Sequence, residues 1–478
     1  MRKLLAYDDV NIVPKYSELV SRNRVNLNTR FTKTKNIKIP IVSSPMDTIT
    51  EYDMALEMMD LGGIGVIHRF MSIEEQAGIV KKLKLNKKLW GKFISENVTL
   101  ENEVDSMFAY AGTIIGSKTK PLEEYTLKEW KFLLDETLDN HPIKLNLSAI
   151  RSFYRKVFKL KWGHLVNLDY FDIHKQQIFM DELNEEDERN LLNVLDPTIK
   201  VSKIKLKLIK DFYKSMESSK KVISKLPICA AVGVKKDYIE RSRELINNGC
   251  NVLLIDVAHG HHKLVGDAIE EIKKIISKIE VVAGSVATGE ACEYLCEKGA
   301  DAIRVGIGNG SLCETRIRTG VGIPQVSAIR DCVAVADNYN VPIIGDGGGR
   351  NVGDVCKGLA CGADSIMLGS LLSGTKETPG EIEKVGKWPN EMLHKKYRGS
   401  ASLDSKKSRG DTKNVEGNYK IVPYKGKVKR IIKDIQEGIR SSFSYVGANN
   451  IDEFHSNVEL IEVTSAGYIE GKPHLLDT

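Results

Sequence analysis

Eight short apolar runs recur along this chain, and they constrain its fold more than any other feature of the sequence. They begin at residues 39, 63, 227, 252, 280, 302, 342 and 364. Each run ends in polar residues or glycine, and none alternates between apolar and polar side chains. This is the composition of parallel strands that are covered on both faces. The runs therefore predict a parallel sheet with helices on its outer face.

Helical patterns fill the intervals between the later runs, for example over residues 265–276 and 290–298. Eight strand–helix units in a chain of 478 residues predict an α/β protein with a (β/α)8 TIM barrel. The polar run ends then fall on the face where barrels build active sites. An open doubly wound sheet is the alternative, but it would usually carry a glycine fingerprint after its first strand, and none is present.

The stretch between the second and third runs interrupts this rhythm. It is poor in glycine, carries three of the four tryptophans and has mainly helical patterns. We therefore predict three segments. Residues 1–86 form the first part of the barrel, residues 87–225 an inserted, mostly helical module of unknown function, and residues 226–478 the remainder with the cysteine loop, flap and tail. A basic, aromatic segment at 151–161 suits either contact with a nucleic acid or nucleotide or, as we favour, a solvated helix face.

Charge and hydropathy exclude several classes of protein. With 70 Lys and Arg against 64 Asp and Glu, the net charge of +6 does not demand a nucleic-acid partner. No apolar run approaches the ~20 residues of a membrane span, and the acidic Asp8 and Asp9 come too early for a secretory signal. We expect a cytoplasmic protein without a membrane partner. All eight cysteines follow residue 228 without disulfide or zinc spacing, and core packing is the favoured interpretation of Cys292 and Cys296 over a metal pair.

One cysteine stands in a loop that is suited to display a nucleophile. Three glycines, Gly306, Gly308 and Gly310, precede Ser311 and Cys313 at the end of the sixth run. Glycine lets the backbone approach a ligand closely, and the Ser311 hydroxyl can meet a phosphate oxygen. The loop fits either a catalytic thiol or a small buried cysteine in a turn.

The seventh and eighth runs end in loops suited to bind phosphate. Asp346 precedes Gly347 and Gly348, and the last run ends in Gly369 and Ser370, at the place where barrels commonly bind phosphate through backbone N–H groups. A carboxylate such as that of Asp346 accepts hydrogen bonds from vicinal hydroxyls. Together these residues indicate a ribose 5′-phosphate, and with Cys313 at the same face they suggest covalent attack on a mononucleotide.

Seven motifs resemble those of one family, the IMP dehydrogenase and GMP reductase superfamily. The resemblance covers roughly residues 1–83 and 226–475. The motifs are Tyr-Asp-Asp-Val at 7–10, Ser-Pro-Met-Asp-Thr at 44–48, Gly-Gly-Ile-Gly-Val-Ile-His at 62–68, Asp-Val-Ala-His-Gly at 256–260, the loop at 308–315, Asp-Gly-Gly at 346–348 and Lys-Tyr-Arg-Gly at 396–399.

The resemblance implies a role for many residues. Cys313 would add to C2 of the purine, and Thr315 would take part in proton transfer. The implied substrate-binding residues are Ser44, Met46, Ser311, Asp346, Gly347, Gly348, Gly369, Ser370, Tyr397, Gly399, Ser400, Glu416 and Gly417. Those implied for the nicotinamide cofactor are Asp256, His259, Ser285, Gly306 and Gly308. Similar proteins are homotetramers, and the dehydrogenases bind potassium, here through carbonyls of Gly308, Gly310, Cys313, Glu470, Gly471 and Lys472.

The flap after Gly399 is the feature by which the two reactions of the family differ. It is short and lacks the adjacent Arg-Tyr pair that dehydrogenases use to activate water, so we predict a GMP reductase that converts GMP to IMP with NADPH. Asp404 would then take the part of the reductase glutamate that helps to protonate ammonia. IMP dehydrogenase with NAD is the alternative, favoured by residues 44–48, the position of the insert and the tail at 467–474. A nucleotide-responsive binding protein is a further alternative, because Leu403 and Glu314 depart from the family pattern.

Overall fold

Eight parallel strands close into a barrel. The structure is a computed structural model that describes residues 2–84, 86, 227–276, 279–386, 391–403, 405 and 415–472. The barrel strands are β1 (Ile41–Ser43), β2 (Ile64–Ile67), β3 (Cys229–Val232), β4 (Val252–Asp256), β5 (Glu280–Val286), β6 (Ala302–Val305), β7 (Ile343–Asp346) and β8 (Ser365–Leu368). Neighbours pair in parallel all round, and Ile366 of β8 pairs with Ile41 of β1 to close the ring. The predicted TIM barrel is confirmed.

The strands are apolar throughout because both of their faces are buried. Val252 and Leu254 of β4 point into the barrel, where they join a core with side chains of the other strands, while Leu253 and Ile255 face the helices. All four are fully buried. Burial of such side chains stabilises the fold by about 1.5–3 kcal/mol each. The absence of polar alternation in the sequence thus has a direct physical cause.

A layer of helices surrounds the barrel. They are α1 (Tyr52–Leu61), α2 (Ile73–Lys84), α3 (Tyr238–Asn247), α4 (Lys263–Ile275), α5 (Gly289–Glu297), α6 (Gln325–Ala336), α7 (Val352–Ala360) and α8 (Val428–Tyr445). Their caps follow the sequence: Thr288 and Asn351 accept hydrogen bonds from the first turns of α5 and α7. Seven of the eight cysteines are buried in this framework, and Cys292 and Cys296 lie on the buried face of α5 as part of the core.

Several short strands, helices and 3-10 turns accompany the barrel. Strands Val10–Ile12 and Leu460–Glu462 pair antiparallel, as do Thr29–Arg30 and Asn36–Ile37. Strands Glu383–Val385, Met392–Arg398 and Tyr419–Pro423 form a separate antiparallel sheet. Short helices lie at Thr315–Thr319, Ile451–Asn457 and Ser465–Glu470, and 3-10 turns at Tyr7–Asp9, Arg22–Arg24 and Asp337–Tyr339.

In the sequence, the insertion falls between α2 and β3. Val66 of β2 pairs with Cys229 of β3, so the two strands are neighbours although the insert separates them in sequence. Gln76 of α2 donates to the carbonyl of Ala231 at 2.9 Å and accepts from Arg241 of α3 at 2.8 Å, which closes the seam. The predicted helical character of residues 87–225, and the basic segment within them, lie outside the described residues. In the part of the chain that is described, no helix has both the length and the apolar character needed to cross a membrane.

Candidate active site

A cavity of about 760 Å³ opens at the carboxyl ends of the strands. Its walls come from seven of the eight strands or the loops after them, β3 excepted, and from the end of strand Met392–Arg398 with the segment that follows it. The residues predicted as functional that line it are Ser44, Met46, Asp256, Ser285, Gly306, Gly308, Gly310, Ser311, Cys313, Thr315, Asp346, Gly347, Gly348, Gly369, Ser370, Tyr397, Gly399, Ser400, Glu416 and Gly417. Residues from eight places in the sequence thus meet in one site.

Cys313 begins a short chain of polar groups in this cavity. Its Sγ lies 3.1 Å from Oγ1 of Thr315, and that hydroxyl donates to Oε2 of Glu416 at 2.9 Å. Cys313 is partly exposed, whereas the other seven cysteines are buried. A thiol, a hydroxyl and a carboxylate in this order can pass a proton away from the reacting atom and hold it on the carboxylate.

Backbone pairing fixes the two ends of that chain against each other. Cys313 and Gly417 form an isolated antiparallel bridge, and the Glu314 amide donates to the Glu416 carbonyl at 2.9 Å. The Glu314 carboxylate accepts from Arg318 Nε at 2.7 Å, so the charge next to Cys313 is paired. The departure from the family pattern at Glu314 therefore places no free carboxylate on the thiol.

Arg316 explains two of the loop glycines. A Cβ on Gly308 or on Gly322 would lie 2.6 Å from Cγ of Arg316, and both glycines have positive φ. The Arg316 guanidinium donates to Asn309 and to the carbonyl of Ile323, which ties the loop together. Burial lowers the pKa of Arg316, while a charge on the nearby Cys313 raises it.

The ends of β6 and β7 approach each other too closely for a side chain at Gly306. Its φ is +150°, and a Cβ there would lie 1.9 Å from the carbonyl oxygen of Asp346. Gln325 fills the remaining space and donates from Nε2 to the carbonyls of Val305 and Asp346, at 2.8 and 3.1 Å. The contact keeps the cysteine loop and the Asp346 loop in one arrangement.

The predicted phosphate site lies around Gly369. A Cβ there would lie 3.1 Å from the Tyr397 hydroxyl, 3.4 Å from Sδ of Met46 and 3.5 Å from Oγ of Ser44. The Tyr397 hydroxyl is also 3.3 Å from Oγ of Ser311. Burial raises the pKa of Tyr397, which keeps the phenol neutral and able to donate.

The glycines after Asp346 form the other side of the predicted phosphate site. Gly347 and Gly348 both have positive φ, and the Gly348 amide donates to the carbonyl of Asn309 at 2.9 Å. That amide is thus engaged by the cysteine loop in this conformation. The geometry brings the Gly347 and Gly348 turn into contact with the loop that carries Ser311.

Arg304 is a site residue that the sequence did not single out. From the middle of β6 it donates to Asp256 Oδ1 at 2.7 Å and to Asp346 Oδ2 at 2.8 Å. Although burial opposes its charge, the carboxylates of Asp346 and Asp256 raise the pKa of Arg304. An arginine inside an otherwise apolar strand was the available signal. It joins the carboxylate predicted for the substrate ribose to the one predicted for the cofactor ribose.

The predicted cofactor residues meet only in part. Arg69 lies beside Asp256, with its Nη2 donating to the Asp256 carbonyl at 3.3 Å, and its guanidinium stacks over the Phe70 ring at 5.2 Å. Both line the cavity, as does Ser285, and neither Arg69 nor Phe70 was predicted. His259 is exposed and does not line the cavity, so the structure does not bring it to the site.

Three further predictions lie apart from this geometry. Asp404 is outside the described residues. Leu403, at the position of the family glutamate, is 39% exposed. Glu470, Gly471 and Lys472 do not line the cavity of the single chain, so the predicted potassium ligands are not brought together within it.

Comparison with known proteins gives a consistent result. Residues 4–474 match the family model described as IMP dehydrogenase / GMP reductase domain. Three curated relatives carry the name inosine-5'-monophosphate dehydrogenase. That of Nitrosopumilus maritimus is 36% identical over 98% of both chains; those of Aquifex aeolicus and Bacillus subtilis are 36% and 34% identical over 98% of this chain and 95% of theirs.

These names contradict the prediction of GMP reductase, which was wrong. It depended on the short flap without an Arg-Tyr pair. The sequence features that favoured the alternative were residues 44–48, the position of the insert and the tail at 467–474, and the similarity to dehydrogenases extends over nearly the whole chain.

Proposed function

Because this chain belongs to the IMP dehydrogenase and GMP reductase family, we propose that it oxidises IMP to XMP with NAD⁺ and water, through a covalent bond between Cys313 and C2 of the purine. The observation that carries the proposal is the chain of polar groups from Cys313 through Thr315 to Glu416 at the cavity wall. A nucleophile, a relay and a proton acceptor are the groups that this reaction requires.

The substrate is held at its phosphate and ribose. Ser311, Gly369, Ser370 and Tyr397 surround the phosphate with hydroxyl and backbone donors. Asp346 accepts from the ribose hydroxyls through the face that Arg304 leaves open. Because its phosphate and ribose are anchored, the nucleotide holds its base against the cysteine loop. The attack of Cys313 on C2 is then effectively intramolecular.

The first chemical step forms the covalent intermediate. The Cys313 thiolate adds to C2, and the hydrogen on C2 departs with its electron pair. NAD⁺, when bound, supplies the acceptor for that hydride. The residues beside the cavity fit a dinucleotide: the Asp256 carboxylate suits ribose hydroxyls, and the Arg69 guanidinium suits an anionic diphosphate. Asp256, Ser285 and Arg69 would hold it.

The second step is hydrolysis of the bond between Cys313 and C2. Water adds its oxygen to C2, its proton passes through the Thr315 hydroxyl to Glu416, and the C–S bond breaks to return the thiolate and release XMP. Glu416 lies 2.9 Å from the Thr315 hydroxyl and is suited to accept this proton. Since residues 400–417 contain no adjacent Arg-Tyr pair, Glu416 is the base that we assign to this step.

Several predictions accompany this function as proposals. They are the homotetramer, the potassium ion shared with a neighbouring chain, and the division into a barrel of residues 1–86 and 226–478 with an inserted module at 87–225. The direct pairing of β2 with β3 supports the division.

Parallel assays test the function. Purified protein is given IMP with NAD⁺ and, separately, GMP with NADPH, while the nicotinamide absorbance is followed. We expect reduction of NAD⁺ that is abolished in Cys313→Ala. Oxidation of NADPH with GMP but no reaction with IMP would overturn the proposal, as would binding of IMP without any turnover.

A further inference from the structure

Arg398 occupies a particular place in the site. It is the last residue of strand Met392–Arg398, and its neighbours Tyr397 and Gly399 both line the cavity, whereas Arg398 does not. Successive side chains of a strand point to opposite faces, so the Arg398 side chain turns away from the cavity that Tyr397 faces. Whatever holds Arg398 therefore positions cavity-lining residues on either side of it.

Asp47 and Thr48 hold Arg398 from the loop after β1. Oδ2 of Asp47 accepts from Arg398 Nε at 3.1 Å and from Nη2 at 2.8 Å. The Thr48 hydroxyl accepts from the Arg398 amide at 3.2 Å and donates to its carbonyl at 3.3 Å. Two adjacent residues thus fix both the side chain and the backbone of Arg398.

The same carboxylate also reaches beyond Gly399. Oδ2 of Asp47 accepts a third hydrogen bond, from the Ser405 hydroxyl at 3.2 Å. The Asp47 side chain is only 8% exposed, and among the described residues its Oδ1 has no hydrogen-bond partner. A carboxylate that is buried with one oxygen unsatisfied costs free energy, so stability alone does not account for it.

Backbone pairs connect Arg398 to the reacting groups. The amide of Gly399 donates to the carbonyl of Asn418 at 3.0 Å, and the amide of Asn418 donates to the carbonyl of Leu312 at 3.1 Å. The Glu416 amide donates to Ala401 at 3.1 Å. The segment that begins at Arg398 is therefore hydrogen-bonded directly to Glu416, the proposed base. Through Asn418 it is also connected to Leu312, the residue before Cys313.

We propose that Asp47 is a positioning residue, which through Arg398 holds Gly399–Ala401 in place and thereby sets the distance between Cys313 and Glu416. Asp47 touches neither substrate nor cofactor in this role. The proposal rests on the proposed function for its kinetic readout, but not for its readout at the thiol.

The first test measures the thiol directly. Because Cys313 is the one cysteine that is not buried, its alkylation by iodoacetamide is followed in wild type, Asp47→Asn, Arg398→Gln and the double variant. We expect each single substitution to change the alkylation rate by about tenfold, and the double variant to match either single one. Effects that multiply in the double variant, or a rate in Asp47→Asn equal to that of wild type, would overturn the proposal.

The second test measures turnover of IMP with NAD⁺. Asp47→Asn should lower kcat by about tenfold, and Arg398→Lys, which keeps the charge but loses the two-point contact, should fall between. Asp331→Asn is the matched control, because it breaks an ion pair with Arg2 outside the cavity. An equal loss in the control would assign the effect to general destabilisation and overturn the proposal.

Arg398→Lys covers the case in which Asp47→Asn does not fold, since it keeps the charge but loses the two-point contact to the carboxylate. A wild-type alkylation rate in Arg398→Lys would then overturn the proposal, whereas Ser405→Ala, which leaves Arg398 paired, should alkylate at close to the wild-type rate. If wild type alkylates as expected and has no activity with IMP, the proposed function fails while the positioning role is still decided at the thiol.

Discussion

The Thr315 hydroxyl donates to the Glu416 carboxylate at 2.9 Å, across 101 positions of sequence. The contact places a carboxylate two hydrogen bonds away from the sulfur that we propose forms the covalent bond. One short proton relay, from Cys313 through Thr315 to Glu416, can therefore serve both the step at the thiol and the step in which water reacts.

Glu416→Gln separates the two halves of the reaction. The amide cannot accept the proton from water, so we expect a burst of about one reduced cofactor per site followed by steady turnover lowered by roughly 10²–10⁴-fold. Rapid-mixing absorbance measurements report both phases. Glu314→Gln is the control, because its carboxylate is paired with Arg318, and its rate should stay within about twofold. Loss of the burst itself would assign Glu416 to the first step.

Arg304→Gln leaves two carboxylates without their shared partner. Asp346 would lose its ion-pair partner and Asp256 would keep only Arg69, 3.8 Å away, so we expect a loss of about 3 kcal/mol in the free energy of unfolding, with higher KM for both IMP and NAD⁺. Denaturant unfolding and steady-state kinetics measure the two effects. Arg318→Gln breaks an exposed pair instead and should cost about 0–1 kcal/mol. Equal costs for the two variants would contradict the role given to Arg304.

Gly306→Ala tests the contact between β6 and β7. The added Cβ would lie 1.9 Å from a backbone oxygen, at a φ that disfavours side chains, so we expect a destabilisation of more than about 4 kcal/mol or a chain that does not fold. Gly78→Ala is matched to it. Gly78 lies within α2 with no atom near its Cβ position, and alanine there should stabilise by roughly 0.5–1 kcal/mol. Thermal unfolding of both proteins decides the matter, and a folded, wild-type-like Gly306→Ala would contradict the close approach.

Deletion of residues 90–222 with a short linker should leave a folded, active barrel. Strands β2 and β3 pair directly, and Gln76 and Arg241 bridge α2 to α3. Circular dichroism and IMP oxidation of the deletion product are the measurements. An insoluble or inactive product would show that the insert completes the core.

The barrel could be predicted because its cause is local. Strands buried on two faces must be apolar, so each strand can be identified in the sequence from a run of only a few residues. Arg304 was missed because its charge is satisfied by Asp256 and Asp346, which lie 48 and 42 positions away. The long-range pairing of Glu416 with Thr315 is likewise absent from any local pattern, and only the family resemblance drew attention to Glu416.

The reaction itself was predicted wrongly for a related reason. The missing Arg-Tyr pair is a local feature, and it was interpreted as the absence of any base for water. The structure places a carboxylate on the hydroxyl beside Cys313 from another part of the chain. Contacts of this kind decide which groups lie beside the proposed covalent intermediate. The flap sequence alone does not show that Glu416 contacts Thr315.

The bridge between Cys313 and Gly417 couples the exposure of the Cys313 sulfur to the position of Glu416. A displacement of the segment around Gly417 would break the backbone pairing of Cys313 and at the same time move Glu416 away from Thr315. The same displacement would therefore expose the sulfur and remove its proton acceptor. An inhibitor bound beneath this segment would leave the thiol accessible to reagents but unable to complete a catalytic cycle.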